Sequence, residues 1–289
     1  MSSFDTRHRT ATIDGLEVFY RESGQPDNPT LVLLHGFPSS SHMFRNLIAE
    51  LADEFHVIAP DHIGFGRSSM PAVDEFDYSF DRLAEITEQL LDRLGVDTFA
   101  LYIQDYGAPI GLRIAAKHPE RVTALITQSG NAYREGFTPF WDVLFAHAQN
   151  RAEHEPAVRE LLELDATRWQ YTHGVPADRL DRIAPETWLT DQAGLDRPGN
   201  KEIQLQLFWD YQFNLDGYPA FHEYFRTHRP PTLVAWGRGD EIFGPAGAEA
   251  FATDLPDAEI HLLDAGHFAL ETHGQEIADL IRDFLRRNP

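Results

Sequence analysis

Leu101-Tyr102-Ile103-Gln104-Asp105-Tyr106-Gly107 is the stretch on which the fold turns. An apolar run that begins at Phe99 meets a carboxylate and a glycine, then passes directly into a helical pattern from Ala108 to Ala116. A buried strand entering a helix through a tight turn places one functional side chain at the apex, where backbone strain pushes it into the open. A small residue beside the apex lets strand and helix pack closely, and Gly107 supplies one. Alone, an Asp at such a place reads as a helix N-cap. The rest of the chain raises Asp105 above that reading.

Outward from this turn, short apolar runs alternate with amphipathic helices. Leu31 to Leu34, Val57 to Ala59, Phe99 to Ile103, Val122 to Thr127, Thr232 to Trp236 and Glu259 to Leu263 read as strands. They lack polar alternation, which suits a parallel sheet covered on both faces. Phe80, Leu83, Ile86, Leu90, Leu91 and Leu94 make one helical stripe, with Ser79 as its N-cap. Ile277, Leu280, Ile281, Phe284 and Leu285 make another, closing on Arg286 and Arg287. Strand and helix in succession imply an α/β protein with a doubly wound sheet. The rhythm breaks across 134–229, an aromatic-rich stretch of helical pattern. The expectation is a helical cap (134–229) inserted between two parts of one core (1–133 and 230–289), with a pocket at the seam.

Composition narrows the function. The chain has 289 residues, 42% hydrophobic and 24% charged, within the range of a folded globular protein. A formal net charge of −22 argues against nucleic acid, anionic membranes and polyanionic substrates. With no cysteine, a disulfide, a thiolate metal site and a cysteine nucleophile are excluded. The opening MSSFDTRHRT is polar, and no apolar run approaches the roughly 20 residues of a membrane span. A cytoplasmic protein, monomer or homodimer, acting on a small molecule is the expectation.

Two further segments follow strands, where ligands meet open α/β sheets. They are Leu33-Leu34-His35-Gly36-Phe37-Pro38 and Leu262-Leu263-Asp264-Ala265-Gly266-His267-Phe268. With Ala59-Pro60-Asp61 through Gly64-Phe65-Gly66-Arg67-Ser68, and Trp236-Gly237-Arg238-Gly239-Asp240, they complete a set of five motifs in order. On these residues the chain resembles the α/β hydrolases of the aspartate-nucleophile branch, which holds epoxide hydrolases and haloalkane dehalogenases. The resemblance covers nearly the whole chain. It implies Asp105 as nucleophile, Asp240 as acid, His267 as base, and the backbone N–H groups of Phe37 and Tyr106 as oxyanion donors. The chemistry of the residues agrees. A carboxylate can attack an electrophilic carbon and form an ester, and a histidine oriented by a second carboxylate can activate the water that cleaves it. Asn131 and Glu135 follow the strand ending near Thr127, where a family variant carries its acid, and Asp240 is favoured over both. His35 reads as structural. No serine occupies the elbow, against a serine esterase. No metal or organic cofactor is implied.

The resemblance also frames the substrate, a small and largely apolar organic molecule attacked with the help of water. Epoxide hydrolases of the branch carry an aromatic residue in the His-Gly-X-Pro loop and two lid tyrosines that donate to the epoxide oxygen. Phe37 fits the first, Tyr211 stands where the second lid tyrosine is expected, and Tyr171 is a substitute for the first. Dehalogenases instead hold halide with a tryptophan after the nucleophile. Tyr106 occupies that place here, while Trp141, Trp169 or Trp209 could supply an indole N–H from the cap. Epoxide opening to a vicinal diol leads, with haloalkane dehalogenation as the alternative. A non-catalytic binding protein on the same scaffold is the alternative of another class.

Overall fold

The computed structural model describes residues 5–288. Met1 to Phe4 of the polar opening segment, and Pro289, lie outside the described residues. Eight strands form one sheet: β1 (Arg7–Ile13), β2 (Leu16–Ser23), β3 (Thr30–Leu34), β4 (His56–Pro60), β5 (Phe99–Gln104), β6 (Val122–Gln128), β7 (Thr232–Gly237) and β8 (Glu259–Leu263). Their order across the sheet is β1-β2-β4-β3-β5-β6-β7-β8. β1 and β2 pair antiparallel, as do β2 and β4, and every later pairing is parallel.

The unbroken apolar strands have the reason expected of them. Along β5, Leu101 and Ile103 face one core while Ala100 and Tyr102 face the other, and β3 and β7 divide in the same way. One face is covered by α2 (Phe80–Arg93), α3 (Gly107–Lys117) and α10 (Pro245–Asp254). The other is covered by α1 (Arg45–Leu51) and α11 (Ala269–Arg287). Ser79 caps α2, its hydroxyl accepting from the Arg82 N–H at 3.2 Å. Among the described residues no helix is long and apolar enough to cross a membrane.

Two strands were not anticipated. β1 and β2 form an edge hairpin around Asp14 and Gly15, whose φ values of 48° and 80° are both left-handed. That two-residue turn is a strong hairpin signal. The charged, exposed β1, with the sequence RHRTATI, lacks the apolar face by which the other strands are recognised.

Between β6 and β7 the chain forms α4 (Asp142–Gln149), α5 (Arg151–Arg159), α6 (Leu164–Thr172), α7 (Glu186–Leu195), α8 (Asn200–Asp210) and α9 (Asn214–His228), joined by short 3₁₀ turns. The only strand-like pairing in this excursion, among the described residues, is the bridge between Phe137 and Phe243. Its packing reaches back to the core at defined points. The Asp210 carboxylate, at the end of α8, accepts from the Phe80 N–H that opens α2, at 2.8 Å.

Candidate active site

Asp105 follows β5 with φ of 48°, a left-handed conformation that costs a non-glycine residue energy and concentrates at functional positions. The close approach around it depends on two glycines. A Cβ on Gly107 would sit 2.2 Å from the Leu34 carbonyl oxygen, and one on Gly36 would sit 2.3 Å from the Asp105 side chain. Asp105 is not the cap of α3: the helix begins after Tyr106 without a side-chain cap. Its Oδ1 instead accepts from the Phe37 N–H at 2.7 Å, and the Tyr106 N–H bonds the same carboxyl.

His267 lies after β8, its Nε2 4.0 Å from Asp105 Oδ2 and its Nδ1 2.9 Å from Asp240 Oδ2. Asp240 is fixed by accepting from the N–H groups of Ile242 and Phe243 at 2.8 and 3.0 Å. The structure therefore brings Asp105, His267 and Asp240 into one chain of contacts, all under 5% exposed. Asn131 and Glu135 are not in it. Asn131 bonds the Tyr133 carbonyl and the Tyr218 hydroxyl. Glu241, beside Asp240, pairs with His173.

Burial pushes the Asp105 carboxyl up to about 6, a rise moderated by His267 and by the Phe37 and Tyr106 N–H groups. Burial opposes the charged form of His267, but Asp240, by charge and hydrogen bond, and then Asp105 raise its pKa above the ordinary value. His35 stays neutral, held near 4 by burial. Its Nε2 accepts from the His62 N–H and its Nδ1 lies 3.1 Å from the Gly36 carbonyl, so it braces the loop that carries Phe37.

Aromatic rings cluster beside Asp105. Phe37 meets Phe208 at 4.9 Å between centroids, Phe80 meets Tyr106 at 4.8 Å, and Trp141 meets Tyr211 at 4.3 Å. Tyr211 sits 5.9 Å from Tyr106 and within the field of Asp105, and it hydrogen-bonds Tyr218. Among the described residues, the buried Tyr106 hydroxyl has no hydrogen-bond partner. Burial first, and Asp105 with it, raises both phenols well above 10, so both remain protonated donors.

The other cap candidates are placed as follows. Tyr171 donates to Asp191 at 2.5 Å and stacks on Phe268 at 3.9 Å, within the core beneath α11 rather than against the rings beside Asp105. The indole N–H of Trp141 goes to the Ile242 carbonyl at 2.8 Å, so Trp141 contributes its ring and braces the Asp240 loop. Trp209 packs against Phe213 and under the Arg151 guanidinium, on the partly exposed side of α8. Trp169 stacks on Phe140 and His173.

Three polar residues at the site were given no role by the sequence. The Gln104 amide lies 2.9 Å from His267 Nε2, Gln128 donates to the His267 carbonyl at 2.7 Å, and Tyr218 links Tyr211 to Asn131. Gln104 and Gln128 end β5 and β6, neighbours in the sheet. Strand-end position is the one signal by which sequence could have marked them. Among the described residues no group of three His, Asp or Glu side chains is gathered as metal ligands.

The α/β hydrolase fold family matches residues 29–274. The chain belongs to that family and is a hydrolase. It is 46% identical over 286 residues, 97% of each chain, to the uncharacterised hydrolase YNR064C of Saccharomyces cerevisiae. It is 42% identical over 283 residues to a haloalkane dehalogenase of Mycolicibacterium paratuberculosis, covering 92% of this chain and 86% of that one. The haloalkane dehalogenase DatA of Agrobacterium tumefaciens superposes with a TM-score of 0.81 at 21% identity, covering 98% of this chain and 97% of that one, a likeness of fold.

Proposed function

We propose that this hydrolase opens epoxides by covalent catalysis. Asp105 Oδ2, the oxygen not bonded to Phe37, attacks a ring carbon. The carbon–oxygen bond breaks and the ring oxygen takes the Tyr211 proton, leaving a β-hydroxyalkyl ester on Asp105. Ester formation cancels one of the negative charges that raise the pKa of His267, which suits the imidazole to act next as a base. His267 takes a proton from water, and the hydroxide adds to the ester carbonyl carbon. The Phe37 and Tyr106 N–H groups stabilise the oxyanion. Collapse expels the alkoxide, which takes the proton from His267. The carboxyl proton left on Asp105 returns through solvent to Tyr211, so the net reaction adds one water to give a vicinal diol.

One observation carries the choice of substrate: the phenols of Tyr211 and Tyr106 lie within the electrostatic reach of Asp105, whereas the Trp141 indole N–H is spent on the Ile242 carbonyl. An epoxide oxygen must gain a proton as it leaves, whereas halide needs only a dipole. The second reading, haloalkane dehalogenation, is supported by the name of the 42% identical relative. The helical excursion between β6 and β7 serves in either case as the cap that excludes bulk water.

The two readings separate by intact-protein mass. His267→Gln, exposed to epoxides and haloalkanes separately, should accumulate ester. A gain of the whole epoxide mass, mapped to Asp105, is the expected outcome. A gain of the haloalkane less its hydrogen halide would move the protein to the dehalogenases. No adduct from either panel would overturn an ester at Asp105.

A further inference from the structure

A concavity lies between the core and the chain from Thr190 to Arg197, lined by none of the rings beside Asp105. Its volume is about 460 Å³, and its walls come from the Pro38–His42 loop, the Gly66–Arg67 turn, β2 at Arg21 and the chain from Thr190 to Arg197. Three arginines open onto it: Arg21, Arg67 and Arg197. Among the described residues none of the three lies within ion-pair distance of a carboxylate, in a chain with 46 acidic residues. Their hydrogen-bond partners are not carboxylates. Arg21 bonds the Ser41 hydroxyl at 3.1 Å and lies 2.8 Å from His8, and Arg197 reaches the Gly64 carbonyl at 3.5 Å. Arg45, close by, is taken up by Glu271 through two bonds of 3.0 and 2.9 Å.

The two carboxylates in the wall offset these guanidinium groups only in part, Asp61 attracting Arg21 without an ion pair between them. Asp61 is buried, its oxygens committed to the backbone N–H groups of Ser41 and Arg67 at 2.8 and 2.7 Å. Asp191 is also buried and bonded by Tyr171, and burial pushes it up to about 7, where its negative charge is only partial at neutral pH. At His42 the arginines outweigh Asp61: burial, then Arg45 and Arg21, hold the imidazole down to about 4, with Asp61 opposing them and Arg67 adding a smaller push in their direction. A guanidinium is planar, permanently charged and shaped to grip a carboxylate or phosphate through two parallel bonds.

We infer that this cleft is a binding site for an anionic group, a carboxylate or phosphate, clamped between Arg67 and Arg197 over Arg21. Pro38 and Ser39 line the cleft, and Phe37, one residue earlier, donates to the nucleophile. One or two residues span only about 4–8 Å. An anion seated here is therefore either the tail of a substrate reacting at Asp105 or a separate small molecule bound beside the loop that carries the oxyanion donor.

Calorimetric titration of the full chain with inorganic phosphate, and separately with succinate, tests the site without turnover. Its failure is therefore distinguishable from failure of the epoxide reading. Saturable binding that weakens with added sodium chloride, and falls at least tenfold in Arg67→Gln/Arg197→Gln, is expected. Arg67 is exposed on its turn, so Arg67→Gln alone provides a folded variant if the double change disturbs the cap. Comparing kcat/KM for styrene oxide and its 4-carboxylate then identifies the source. A carboxylate preference of tenfold or more that disappears in the variant, with neutral turnover unchanged, marks a substrate tail. Phosphate binding without that preference marks a separate ligand. If neither anion binds and no preference exists, the inference is overturned.

Discussion

At the scale of single residues, the site is governed by burial. Asp105 must be ionised to attack, yet its surroundings favour the neutral acid, with a pKa pushed to about 6. The kcat/KM profile, which reports the free enzyme, should therefore fall about tenfold per unit below about pH 6, as a pH series under pseudo-first-order conditions would reveal. The same burial has a stability consequence. A carboxyl whose pKa is raised in the folded state costs nothing while protonated in both states. Its cost grows as pH rises from the unfolded value toward 6 and is complete above. Asp105→Asn should abolish ester formation yet stabilise the fold by about 1–3 kcal/mol above pH 6, with the gain vanishing below pH 4. Chemical denaturation at pH 3.5 and 7.5 checks both limits. Equal stability at pH 7.5 would mean that the carboxylate is better solvated than its burial implies. Tyr211→Phe removes the proton donor without changing the ring that packs on Trp141. It should lower kcat for epoxides about 10²-fold and leave any haloalkane turnover far less affected.

At the scale of elements, the turn between β5 and α3 carries the most constraint. Gly107 permits the first turn of α3 to lie against β3, and a methyl group there would meet the Leu34 carbonyl oxygen. Backbone cannot yield as a flexible side chain can. Gly107→Ala should therefore destabilise by several kcal/mol, despite alanine's better helix propensity of about 1 kcal/mol, and urea unfolding measures which effect wins. The cap donors depend on element placement in a different way. Tyr211 is held within the field of Asp105 because Asp210, next to it, is bonded to the start of α2 and because its ring packs among Phe80, Tyr106 and Trp141. Trp209, two positions earlier, points to the partly exposed side of the same segment. Residues two apart on a helix lie about 200° apart around its axis, so nearness in sequence does not imply a shared face.

At the scale of the whole molecule, the charge of −22 is the dominant long-range property. Ion pairs tie many of the arginines to acids, Arg45 with Glu271 and Arg286 with Glu54 among them, yet the excess of acid remains. Self-repulsion destabilises the compact state and is screened over about 8 Å at 0.15 M salt. The melting temperature should rise by several degrees between 10 mM and 500 mM sodium chloride. A flat or falling dependence in differential scanning calorimetry would show that the ion pairs, themselves weakened by salt, outweigh the repulsion. The arginine cleft stands out against this background because, among the described residues, none of its three arginines is within ion-pair distance of a carboxylate.

The alternation of apolar runs and helical stripes was sufficient in sequence for a doubly wound sheet, since the inner strands β3 to β7 are buried along nearly their whole length and must be largely apolar, while β8, at the far edge, is only partly buried. It was insufficient for β1 and β2, whose pairing is at a solvated edge and is announced only by Asp14-Gly15. Asp105, Asp240 and His267 were legible as candidates because each follows a strand whose end is visible in sequence, and the parallel sheet carries strand ends to one side. The polar surroundings of that cluster were not legible. Tyr171 was separated from it and joined to Asp191, Trp141 spent its N–H on a backbone carbonyl, and Tyr106 and Tyr218 entered with hydroxyl groups that spacing did not mark. Strand ends converge by a rule of topology that short-range pattern contains. Side chains on packed helices converge according to crossing angle and rotation about each axis, quantities decided by the jigsaw of Phe37, Phe80, Phe208 and Trp141 and encoded in no local stretch of the chain.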